Sequence, residues 1–168
     1  MRGLRRTASG VALALALALG LVACGEPPID VAIPPRDGHV SDLAGILDID
    51  QLDAQLTAIA EQGLDVVALT YTTPRANCGE AFRAGRDFAV AWEADIALVA
   101  VARPGDFTST DEARVRCLGL RPVDEFAVPR GLREEIAEEL VPPIAADNDW
   151  DGAFRIAAQR LGEELTAR

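Results

Sequence analysis

Lysine is absent from the chain, so its positive side-chain charge rests on arginine. Together with the abundance of alanine, we read this as the composition of a high-GC genome and not as chemistry. Histidine occurs once, at His39, in the N-terminal approach and without an evident partner. A cysteine nucleophile needs a base beside it, so that class is disfavoured. There is no glycine-rich phosphate loop, no serine nucleophile elbow and no zinc-ligand spacing. Basic residues are also outnumbered, 16 against 27 acidic ones, for a net charge of -11. Phosphate backbones require a basic surface, which excludes nucleic acid as a partner. The balance favours cations, basic partners or simple solubility. After residue 24 no apolar run approaches the ~20 residues that span a bilayer. The longest, Ile96 to Ala102, fits a strand.

What is present begins with Arg2, Arg5 and Arg6, an apolar run from Val11 to Val22, and the small residue Ala23 before Cys24. This is the order of charge, core and cleavage site in an export signal. Leu21-Val22-Ala23-Cys24 resembles the lipobox of bacterial lipoproteins, in which the cut falls before the cysteine and its thiol carries diacylglycerol. The expectation is a signal peptide over residues 1–23 and a lipidated Cys24, a two-chain anchor holding the protein to the cell membrane on its extracytoplasmic side. Loss of the three leader arginines takes the net charge to -14. Cys78 and Cys117 then remain as an even pair in an oxidising compartment, where disulfides persist. Two buried free thiols are the alternative.

Residues 24–38 contain Pro27-Pro28, Pro34-Pro35 and Gly38, which favour extended backbone without a packed element and so predict a spacer. The folded domain is expected over 39–168. Asp48 and Gln51 can start a helix at about 49–62 with Leu52, Leu56 and Ile59 on one face, and Gly63 ends it. Val66 to Tyr71 reads as a buried strand. A helix from about Asn77 to Glu93 is expected to bury Phe82, Gly85, Ala89 and Trp92. A strand at 96–102 and another at 112–120 are joined closely enough for an antiparallel hairpin. Two C-terminal helices follow, one carrying Leu132, Ile136 and Leu140, the other Trp150, Phe154, Ala157, Leu161 and Leu165, with Pro142-Pro143 between them as a stop. This order predicts an α/β fold: a small mixed β-sheet sandwiched between α-helices.

Three stretches resemble the TPM domain, a family that includes thylakoid-lumen proteins, photosystem repair factors and many bacterial envelope proteins. His39-Val-Ser-Asp42-Leu-Ala-Gly45-Ile-Leu47 is similar to its opening. Trp92 with Asp95-Ile-Ala-Leu-Val-Ala100 is similar to its central strand, and Val141-Pro-Pro-Ile144 with Asp149-Trp150-Asp-Gly152 to its C-terminal turn and last helix. Gly119-Leu120-Arg121 carries arginine where the family's turn has an acid. The resemblance implies a TPM-like α/β/α domain serving as a binding or accessory module for envelope or membrane proteins. Because some members are phosphatases and some bind calcium, it also implies a metal-dependent phosphatase as the competing class.

Asp42 and Asp95 each stand at a loop edge beside an expected sheet element, where the resemblance implies acidic residues near one end of the sheet, and carboxylates are the hard ligands calcium prefers. They are the candidate metal site, the alternative being a turn residue and a strand entry. Asp147, Asp149, Asp151 and Gly152 match the first half of a calcium loop, but the twelfth position, which must be a bidentate acid, is Ala158. Caps for the last helix are the better reading of these aspartates. The charges of Arg133-Glu-Glu and Glu138-Glu139 read as a solvated helix face, and Thr108-Ser109-Thr110 as hydroxyls satisfying a turn.

Overall fold

The computed structural model describes residues 29–166. Cys24, the leader and the first part of the expected spacer lie outside the described residues. The chain enters through β1 (Val40–Asp42), then α1 (Ile49–Ala60), β2 (Val66–Thr72), α2 (Cys78–Ala91), β3 (Ile96–Ala102) and β4 (Arg116–Pro122). It finishes with α3 (Arg130–Glu134), a π-helical stretch over Glu135–Leu140, α4 (Val141–Ala146) and α5 (Trp150–Thr166). The sheet order is β1-β2-β3-β4, with the first three strands parallel and β4 antiparallel to β3. This is the mixed sheet between helices that the order of elements predicts. No helix among the described residues is long and apolar enough to cross a membrane.

Side chains alternate across each strand, and the two faces make two cores. Val66, Ala68, Ile96, Leu98, Ala100 and Leu120 face α1, the π-helical stretch, α4 and α5. Val67, Leu69, Tyr71, Ala97, Val99 and Val101 face α2. Strands buried on both faces read as continuous apolar runs, which is why Ile96–Ala102 was legible as one. The β1–α1–β2 and β2–α2–β3 connections step the same way across the sheet, yet α1 and α2 lie on opposite faces. The two crossovers therefore have opposite hands, and one departs from the right-handed rule.

Local chemistry sets the element ends. Asp48 accepts the Gln51 amide at 3.2 Å and caps α1; Gly63, at φ +96°, turns the chain out of it. Asn77 caps α2 by accepting the Glu80 amide at 3.0 Å. Five expectations need correction. The strand β1 was not foreseen, because three residues are too few to show a period. Strand β4 begins at Arg116 and not at 112, since Asp111 folds back to accept the Ala113 amide at 2.8 Å and Asp106 takes the Val115 amide at 2.6 Å. Pro142-Pro143 does not separate two helices. It occupies the first turn of α4, where missing amides cost least, and the widened π-helical stretch leads into it. The break comes at Asn148, at φ +64°, a left-handed conformation that asparagine tolerates.

The last two corrections concern Phe82 and the spacer. The buried stripe of α2 is Ala81, Ala84, Gly85, Phe88 and Ala89, continued by Trp92. Phe82 lies one position round the helix and is 46% exposed. Residues 29–38 are irregular, as the prolines require, but they do not stand free. Ile29, Val31 and Ile33 pack on the α2-side core. Trp92 Nε1 donates to the Pro34 carbonyl at 2.8 Å, and Arg36 forks onto Asp65 at 2.8 and 2.9 Å. The Asp65 hydrogen bond holds the Arg36 guanidinium above its usual pKa.

Candidate interaction surface at the open edge of the sheet

The candidate metal pair is not assembled. Asp42 stands level with Thr70 and, through it, with Ala100, at the carboxyl end of the parallel strands. Asp95 precedes β3 at the opposite end, five residues back, which is roughly 16 Å along the strand at ~3.3 Å per residue. Both carboxylates are also committed to backbone. Asp42 accepts from Gly45 N at 3.0 Å, Leu47 N at 2.9 Å and the Thr70 hydroxyl, so it braces the β1–α1 loop. Asp95 accepts the Asp65 amide at 2.8 Å and ties the entries of β2 and β3 together. Calcium needs six or more converging oxygens. Among the described residues no group of three or more His, Cys, Asp or Glu could hold a metal ion. In the acidic turn before α5, Asp149 accepts the Gly152 amide at 2.8 Å as a cap, and Asp151 accepts the Asp48 amide at 3.0 Å.

His39 has partners that its isolation in the sequence did not show. It lies 3.6 Å from Asp53 and 3.5 Å from Asp65, with the Thr57 hydroxyl 3.3 Å from Nδ1. Together with Arg36 these groups clamp the chain's entry to the amino end of the sheet. No spacing rule links residues 39, 53 and 65, so only the fold reveals them. At the carboxyl end, a hollow of about 430 Å³ lies between Pro74, Arg103, Asp106 and Arg114. Ligands of open α/β sheets favour this end, but here Asp106 is taken by Val115, and Arg114 Nη1 donates to the Asp111 carbonyl at 2.9 Å. The hydroxyls of this loop serve its backbone too: Ser109 Oγ accepts the Asp111 amide at 3.0 Å.

Among the described residues, the surface that is built and left without a strand partner is the outer edge of β4, the last strand of the sheet. Arg103 N donates to Val115 O at 3.0 Å and Val123 N to Asp95 O at 2.8 Å. In an antiparallel ladder this parity pairs residues 115, 117, 119, 121 and 123 with β3 and turns the N–H and C=O groups of Arg116, Leu118 and Leu120 outward. Cys78 and Cys117 are joined, with Cα atoms 5.2 Å apart, inside the range a disulfide permits. The bond fastens the start of α2 to β4. Gly119 completes the contact, because a Cβ there would come within 3.3 Å of the Ala81 Cβ.

Two kinds of hollow flank this edge. On the α2 side a recess of about 280 Å³ is lined by Gly79, Phe82, Arg83, Arg86 and Arg121, without a carboxylate. A groove of about 410 Å³ shares Phe82 and Arg121 with that recess and runs across to the other side, where Leu118, Leu120 and Ala137 form its floor and its rim carries both charges. It continues past Leu118 to Val141 and Trp150. Arg116 closes the far end: its guanidinium stacks 5.3 Å from the Trp150 ring centre and donates to the Ala145 carbonyl at 2.7 Å. Burial, with Arg114 nearby, lowers its pKa from the usual value. At the other end Val123 is half exposed and Phe126 is 94% exposed.

No family model matches the chain, and no curated protein matches it.

Proposed function

We propose that the protein is a membrane-anchored extracytoplasmic lipoprotein of the TPM type, acting as a binding or accessory module for another envelope or membrane protein. The observation that carries this reading is the open β4 edge: outward backbone groups of Arg116, Leu118 and Leu120 between two formed hollows. An uncovered strand edge is a template for pairing with another chain. The lipobox residues Leu21 to Cys24 support attachment to the lipid bilayer, and the α/β/α arrangement is compatible with a TPM-type domain. A metal-dependent phosphatase would draw on Asp42 and Asp95, which the sheet register sets at opposite ends, so no observation favours that class.

The tether is tested by fractionating cells that express the full chain and its Cys24→Ser variant. Wild type should stay with the membrane, its first residue a lipid-modified Cys24. The variant should be released as mature domain or remain as uncleaved precursor. Soluble wild type beginning at Gly25 or later would overturn the lipid anchor.

A further inference from the structure

We infer that the β4 edge takes an extended segment of a partner protein as a fifth strand, one whose side chains alternate between carboxylates and aliphatic groups. The inference rests on the binding-module reading and names the chemistry of its partner. A strand laid beside β4 would bond to the outward N–H and C=O groups of Arg116, Leu118 and Leu120 and to the Pro122 carbonyl, a span of about six residues, typical for a strand. Its side chains would then fall by turns on the two faces of the sheet.

The two faces ask for different chemistry. On the α2 face the next side chains meet Arg83, Arg86 and Arg121 around a recess whose lining, among the described residues, includes no acid, with Arg86 Nε paired to Asp87 beside it at 3.2 Å. This is three guanidinium groups together in a chain of net charge -11. The Glu80 carboxylate is 2.7 Å from Arg83 Nη2, but the Arg83 Nε is buried without a partner among the described residues. Among the described residues Arg121 pairs with the exposed Glu125, at 3.1 Å. Planar guanidinium groups recognise carboxylates through paired hydrogen bonds. On the opposite face Leu118, Leu120 and Ala137 offer an apolar floor. Strand addition of this kind takes affinity from the main chain and specificity from the alternate side chains. A second copy of this chain does not meet the requirement. The α2-side positions of its own β4 are Val115, Cys117, Gly119, Arg121 and Val123, which offer no carboxylate.

The probe is an end-blocked hexapeptide of alternating valine and glutamate, titrated into the folded domain and followed by amide hydrogen exchange and NMR shifts. Binding should protect the amides of Leu118 and Leu120, and a valine–lysine peptide should bind at least tenfold more weakly. The Arg86→Glu/Arg121→Glu variant should lose at least tenfold in affinity for the glutamate peptide. Leu118→Pro removes one outward N–H at an edge position where proline is tolerated and should abolish protection of the Leu120 amide, whereas Leu118→Ala, which loses the same core-packed side chain but keeps the N–H, should retain it. Equal affinity for both peptides, perturbation centred away from β4, no binding at millimolar peptide, or a dimer closed through β4 would each overturn the proposal. If the peptide fails while residues on β4 still crosslink to an envelope protein in cells, the partner chemistry is wrong and the binding-module reading stands. If both fail, both fall.

Discussion

The Tyr71 hydroxyl donates to the Glu80 carboxylate at 3.1 Å, inside the packing between β2 and α2. Glu80, 2% exposed, also accepts the Asp30 amide at 2.8 Å and the Arg83 guanidinium. One buried carboxylate therefore joins the entering segment, a central strand and the helix that borders the β4 edge. Burial first, and the Glu80 charge second, push the Tyr71 hydroxyl well above the usual pKa of 10.

The sign of the resulting pH effect is fixed. From pH 10 upward the unfolded chain loses its tyrosine proton while the folded chain keeps it, so unfolding releases a proton and stability falls as pH rises. Tyr71 is the sole tyrosine, and phenolate absorbance near 295 nm reports on it alone. In denaturant it should titrate near 10. In the folded protein the signal should be delayed until the domain opens. Tyr71→Phe should cost about 2 kcal/mol at neutral pH through the lost hydrogen bond to a charged carboxylate and should remove this part of the alkaline decline.

Reduction of the Cys78–Cys117 bond should lower stability by about 4 kcal/mol, the chain entropy of a loop spanning 39 residues. Chemical denaturation with and without reductant measures this. Alkylation should fail before reduction and succeed after it. The α2-side recess should loosen with the bond, because the disulfide and the Gly119–Ala81 approach hold α2 against β4.

Calcium should raise the melting temperature of the domain only by screening its acidic charge. The Asp42→Asn and Asp95→Asn variants should show the same calcium increment as wild type in thermal melts. Asp42→Ala should lose about 3 kcal/mol without any calcium present, since it leaves Gly45 N, Leu47 N and the Thr70 hydroxyl without their acceptor. A saturable calcium shift in wild type that either Asn variant abolishes would mean that a site forms after all.

The parts of this fold that could be read from the sequence are those where one principle dominates. Ile96–Ala102 is apolar because the strand is buried on both faces, and Asp48, Gly63 and Asn77 mark helix ends through their own side chains or backbone freedom. Asp149 likewise reads as a cap. What was misread depended on partners far away in the chain. Pro142-Pro143 signals a stop, but both prolines fall in the first turn of α4, where their missing amides cost least. Phe82 looks like a core residue until its helix is set against β4, where Gly119 and Arg121 fix which stripe turns inward. Asp42 and Asp95 share a chemistry, yet whether they meet is decided by strand direction and register, which no local pattern carries. The arginine recess is equally non-local, joining residues 83, 86 and 121 across two elements.

The central claim, that the open sheet edge is where this protein meets a partner, is tested most directly in intact cells with a photo-crosslinking residue placed singly along the surface. Positions Leu118 and Phe82 lie on the β4 edge and its α2-side recess, whereas Leu43, 53% exposed, follows β1 at the opposite edge of the sheet. The account predicts a discrete crosslinked product from Leu118 and Phe82, weakened by Arg86→Glu/Arg121→Glu and absent from Leu43. Equal crosslinking from all three positions, or product from Leu43 alone, would contradict it.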